Sequence, residues 1–217
     1  MRLMTKHISA AAARHALPLL VCLLMMVLLI STTSWAKSDA RKILASDPSA
    51  GKILDDVPFI PQKKYDCGPA SVAMVLQYHG AEADPDQIAK RFETEAVAGT
   101  FTVDLLIAAN EAGMEAHWVE GGLAALRREI DRGRPVVVFL NLAVNPLPAR
   151  HFAAAVGYLT HKGKDYVILH SGQTSWLMVP EKKFNKQWKR TGNMMMTIKP
   201  WKDDGSGKDG AQEGGGG

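Results

Sequence analysis

The chain has 217 residues and a formal charge of +4, but three of its 26 basic residues and none of its 22 acidic ones fall in the first 36 positions, so the other 181 carry only +1. That near-neutral balance, with no lysine and arginine stripe interleaved with aromatics, excludes nucleic acid as an expected partner, and 181 residues suffice for one domain with a sizeable core. Only one cysteine, Cys67, lies beyond the first 36 residues; this excludes an intramolecular disulfide there and leaves a thiol that is buried, paired between chains, or reactive.

Arg2, Lys6 and Arg14 precede an apolar run from Ala16 to Ile30 and a polar stretch ending Ser34-Trp35-Ala36. Positive, hydrophobic and small-x-small regions in that order predict a secretory signal peptide over 1–36, cut after Ala36, which puts the mature protein in the periplasm or outside the cell and limits membrane contact to export. The alternative is an inner-membrane anchor over 16–30 facing the periplasm, although its 15 residues fall short of the roughly 20 that span a bilayer. Cys22 follows Val21 rather than a small residue, which argues against lipidation. Residues 37–56 are polar, with turn signals at Asp47-Pro48 and Ser49-Gly51, and are expected to form a loosely ordered arm.

Val57 to Pro61 is extended, because Pro58 and Pro61 pin their own φ and bias their predecessors away from helix. After Cys67, the recurrence of Val72, Val75, Leu76 and His79 predicts a helix from about Gly68 to His79 with one buried stripe, Pro69 in its first turn and Gly80 as its C-terminal cap. Asp84-Pro85 opens a short helix to about Phe92, and 93–99 is a connection. Thr102 is expected to cap a third helix through Leu105, Leu106 and Ala109, stopped by Gly113 and followed by a brief strand over 116–119. Gly121-Gly122 opens another helix, with Leu123, Leu126, Arg127 and Ile130 on one side, that ends at Gly133.

The period then changes to β. Val136 to Leu142 is an apolar run covered on both faces, 143–150 is a loop, and His151–Leu159 and Asp165–His170 form an antiparallel pair through a Lys162-Gly163 hairpin turn. Trp176–Val179 is a short strand, Pro180 starts a helix with Phe184, Gln187 and Trp188 on one face, and Met194–Ile198 is a closing strand. The tail over 201–217 is Gly-rich, lacks apolar periodicity and is expected to be disordered. Helices first and strands last predict an α+β fold with a helical lobe packed on an antiparallel sheet.

The chemistry gathers at the start of the Cys67 helix. Unpaired backbone N–H groups and the positive helix end favour thiolate over thiol there, which makes Cys67 a candidate nucleophile. Gln62, five residues upstream, can supply one amide donor to a developing oxyanion, and the Cys67 N–H a second. The base must come from elsewhere in the fold, and His151 stands at the entrance of a strand, held by a sheet, with the small Ala153 and Ala155 leaving room for a helix beside it.

The run Gln62 to Ala70, QKKYDCGPA, followed by His151 opening HFAAAVGY, resembles the C39-like group of papain-type cysteine peptidases, whose pattern is a glutamine, four residues, Cys-Gly-Pro, and a later histidine on a strand ending Gly-Tyr. The resemblance covers 57–200. It implies a papain-like fold with the active site in the cleft between lobe and sheet, Cys67 as nucleophile, His151 as general base, Gln62 as oxyanion donor and a peptide or protein substrate; a monomer without a cofactor is the further expectation. Most such proteins place an aspartate on the next strand, where this chain has Ile168-Leu169-His170-Ser171-Gly172. An exported bacterial subgroup is closer, with Ser-Gly at that place and a Trp-x-Arg near the end, as in Trp188-Lys189-Arg190.

A catalytic histidine needs a partner that sets its tautomer, and Ser171, His170 and Asn141 are the candidates, with Asp165 expected at the far end of its strand. His79, His117, His151, His161 and His170 lack metal-ligand spacing, Asp66 fits a helix-start carboxylate, and Trp118, Trp176 and Trp188 are candidates for a peptide groove. Three functions remain open from sequence: an exported thiol protease, an inactive peptide-binding module on the same cleft, and an amidase or acyl-transferase, since an amine can resolve an acyl-enzyme as water does. The double-glycine leader substrates of transporter-linked C39 domains are not carried over, because the expected signal peptide moves this domain across the membrane.

Overall fold

The computed structural model describes residues 39–92, 100–143 and 148–201. The expected signal peptide, the Gly-rich tail beyond 201, the connection 93–99 and part of the 143–150 loop lie outside the described residues. The fold is α+β, a helical lobe packed on an antiparallel sheet.

The helices follow from caps and apolar spacing. Helix α1 spans Ala40–Ser46, α2 Cys67–Tyr78, α3 Pro85–Phe92, α4 Thr102–Glu111, α5 Leu123–Asp131 and α6 Glu181–Lys189. Asp84 caps α3 by accepting from the Asp86 N–H at 2.9 Å. Gly80, Gly113 and Gly133 adopt φ of +83°, +78° and +74° just past three helix ends, a region that costs glycine little. Thr102 is not the cap that its residue type suggests: α4 starts on Thr102 itself, and its carbonyl accepts instead from the Trp118 indole N–H at 2.7 Å. Helix α2 departs further from expectation. Every residue from Gly68 to Leu76 is buried, so the helix is enclosed all round rather than on one stripe.

The strands are β1 (Gly51–Ile53), β2 (Met114–Glu120), β3 (Val136–Asn141), β4 (Arg150–His161), β5 (Lys164–Ser171), β6 (Thr174–Pro180) and β7 (Met194–Pro200). They are antiparallel in the order β2-β7-β3-β4-β5-β6, with β1 on β4. The β4–β5 hairpin turns at Lys162-Gly163, both at positive φ, as the dipeptide predicts. The last strand does not close an edge. It enters between β2 and β3, pairing with both.

Residues 37–56, expected as a loose arm, contain α1, a 3-10 turn (Pro48–Ala50) and β1. Ala40 is fully buried, and β1 extends the sheet where Gly51 to Ile53 face Leu159 to Gly157. That approach needs Gly157, since a Cβ there would lie 2.6 Å from the Lys52 carbonyl oxygen. A three-residue strand is too short for alternation to register, and its partner is distant in sequence.

Candidate active site

Cys67 opens α2, with Asp66 at the N-cap making no side-chain cap bond. Burial pushes the thiol pKa above its ordinary value, while backbone N–H groups of Phe152, Gly68 and Cys67 itself act on the sulfur in the opposite sense, and the Asp66 carboxylate adds to the rise. Desolvation wins, so the expectation of a resting thiolate is reversed: the helix end helps the anion, but the enclosed sulfur loses more hydration than the dipoles return.

His151 is half-buried on β4, paired across to Leu140 of β3. Its Nε2 lies 2.8 Å from Ser171 Oγ at the end of β5, and burial lowers the ring pKa below its ordinary value. No charge offsets that desolvation, so the imidazole rests neutral at pH 7. Among the described residues, Ser171 is the ring's side-chain hydrogen-bond partner.

Gln62 joins the pieces. It is 6% exposed, and its Nε2 faces three acceptors: Ser71 Oγ at 3.0 Å, Phe152 O at 3.3 Å and Cys67 O at 3.4 Å. Its Oε1 accepts from the Gly172 N–H at 2.8 Å, which fixes which end of the amide is oxygen. Two Nε2 hydrogens are therefore shared among three acceptors, and the Cys67 contact is the longest. Ser71 was missed from sequence. The signal was available, as the one polar side chain in the enclosed run of α2, four residues beyond Cys67.

The family model described as Peptidase_C39 like family matches residues 54–196. The chain belongs to that family. Solved structures agree on the fold: a C39-like peptidase from Bacillus anthracis is 21% identical with a TM-score of 0.55, covering 68% of this chain and 96% of that one. The peptidase domain of Streptococcus ComA, a bifunctional ABC transporter of a quorum-sensing pathway, is 18% identical with a TM-score of 0.53, covering 67% and 99%. Digestive procathepsin L 3 of Tenebrio molitor larval midgut, at 11% identity and a TM-score of 0.50 over 77% and 72%, is similar in fold. Comparison with curated proteins gave no match.

In this C39-like domain the other candidate partners of His151 are engaged elsewhere. His170 is fully buried, with Nε2 3.1 Å from Val57 O and Nδ1 accepting from the Trp176 N–H at 3.2 Å, so its tautomer is fixed with hydrogen on Nε2. Asn141 Oδ1 accepts from the N–H groups of Ala143 and Ala149 and shapes the loop before β4. Asp165 bonds Thr160 at the far end of the hairpin, as expected. The three tryptophans do not line one groove. Trp118 borders a cleft of about 320 Å³ beside Phe139, whereas Trp176 packs edge-on to His170 and Trp188 is fully buried in the core. Among the described residues no helix is long and apolar enough to cross a membrane, and no three His, Cys, Asp or Glu side chains converge as metal ligands.

Proposed function

We propose that the chain is an exported cysteine peptidase that hydrolyses peptide bonds through a Cys67 thioester. One juxtaposition supports the proposal: Gln62 Nε2 lies 3.4 Å from Cys67 O and 3.3 Å from the carbonyl of Phe152, the residue after His151, while His151 binds Ser171 through Nε2, which leaves Nδ1 for a thiol proton. With hydrogen on Nε2 and Ser171 Oγ accepting it, Nδ1 takes the Cys67 proton as sulfur attacks the substrate carbonyl carbon. The C–O π electrons move to oxygen, which meets the Cys67 N–H and a Gln62 Nε2 hydrogen freed from its long contact with Cys67 O. The imidazolium returns the proton to the leaving amine, and water repeats the sequence on the thioester.

Ser171 is a neutral hydroxyl, so it orients the ring without stabilising imidazolium by charge. With thiol and imidazole both pushed towards their neutral forms, the resting site is a neutral pair and proton transfer accompanies attack. That same neutrality favours the second reading, a peptide-binding module without turnover. The two separate in one experiment: residues 37–217 are incubated with a peptide library, and intact-mass spectrometry follows acylation of Cys67. A peptidase gives a Cys67-bound acyl mass that is lost in His151→Ala. Wild type indistinguishable from Cys67→Ala across the library overturns the peptidase and leaves the binding module.

A further inference from the structure

We infer that Gln173, outside the residues given a chemical role so far, is a positioning residue for the reaction proposed above, latching the Ser171 turn to Gln62. Its Nε2 donates to the Gln62 carbonyl oxygen. Two more bonds run between the same partners: Gln62 N to Gly172 O at 2.9 Å, and Gly172 N to Gln62 Oε1 at 2.8 Å. From Gln62 the contacts continue to Ser71 on the Cys67 helix and to the carbonyl of Phe152 beside His151. From the turn they return through Ser171 Oγ to His151 Nε2. The result is a closed ring of contacts in which the histidine's orienting hydroxyl and the amide beside the nucleophile are held as one body.

Gln173 is the weak point of that ring. The turn it occupies is two residues long between β5 and β6, with Gly172 at φ +59° and the pairing register shifted between Leu169 and Ser171. Ser171 pairs with Thr174 only beyond that irregular step, so the bonds to Gln62 add to what the sheet provides there. Gln173 is an exposed residue, the kind of position where substitution ordinarily changes stability little. A catalytic effect larger than its stability effect is thus the mark of the latch.

The test uses Gln173→Ala and Gln173→Glu in the chain over 37–217, the second keeping length while replacing the donor with an acceptor against Gln62 O. On a fluorogenic peptide library, both variants are expected to lose about tenfold in kcat with KM within about twofold. In the Ser171→Ala background Gln173→Ala should cost almost nothing more, because both act through His151. Hydrogen exchange of the Gly172 N–H should accelerate about tenfold while core amides of β4 stay protected, and the His151 ring followed by NMR should titrate closer to its ordinary value. Unchanged Gly172 exchange, or a kcat loss that adds in full to that of Ser171→Ala, overturns the proposal. Exchange and ring titration need no turnover, so an inert wild type counts against the peptidase alone.

Discussion

Two histidines on adjacent strands of one sheet occupy different chemical situations. Both lose hydration and have pKa values lowered chiefly by burial. His170 spends both ring nitrogens on backbone groups, Val57 O and Trp176 N, and is further held edge-on between Phe59 and Trp176. His151 spends one nitrogen on a hydroxyl. A histidine with both nitrogens committed ties the chain leading to Cys67 onto the sheet, whereas one with a nitrogen to spare can move a proton. Position in the sequence would not have separated them, since His170 lies directly beside the serine that orients His151.

The contrast breaks most severely through the reacting groups. Cys67→Ala or His151→Ala should lower acyl-enzyme turnover by about a thousandfold or more while leaving the melting temperature nearly unchanged. The reverse pattern belongs to His170. Replacing it with Leu strands a buried carbonyl and a buried N–H, which should cost about 2–4 kcal/mol, against roughly 1 kcal/mol for His151→Leu, measured by urea denaturation. Equal losses at the two sites would erase the distinction.

Aspartate substitution sharpens it. Ser171→Asp should raise turnover several-fold, because a carboxylate there meets the ring nitrogen that Ser171 Oγ now meets, whereas His170→Asp buries a carboxylate where the Val57 carbonyl needs a donor and should destabilise the fold. Ser171→Ala removes only a neutral orienter and should cost about tenfold in kcat. An aspartate at 171 that leaves the rate at or below wild type would deny Ser171 its role.

pH acts on both histidines with the smallest effects. The active form needs neutral His151 and protonated Cys67, so kcat/KM should rise with pH through a value below 6.5 and fall only above 9.0, a broader plateau than unperturbed groups give. For stability, His79, His151 and His170 bind protons less readily folded than unfolded. Stability from these groups is therefore complete above about 6.5 and is lost as pH falls from there through their lowered folded values. Thermal melts between pH 7 and 5 should show the decline, and His170→Leu should flatten part of it.

The helix start at Cys67 and the strand that holds His151 were legible in sequence because such signals are local: proline and glycine fix how the chain enters α2, and the hairpin dipeptide fixes the register that follows His151. Helix and strand spans were legible for the same reason, as caps, glycine stops and apolar period act over a few residues. Contacts between distant segments were not. Nothing in the polar stretch 37–56 showed that Gly51 to Ile53 would find β4, nor that β7 would enter between β2 and β3, because pairing partners are chosen by the assembled sheet. The thiol's protonation likewise depends on how completely α2 is enclosed, a many-body packing outcome that reversed the sign expected from the helix end alone. Sequence named Ser171, His170 and Asn141 as candidate partners for His151 without deciding among them; the side-chain bond between two strands is made by Ser171, and His170 is buried on backbone partners of its own.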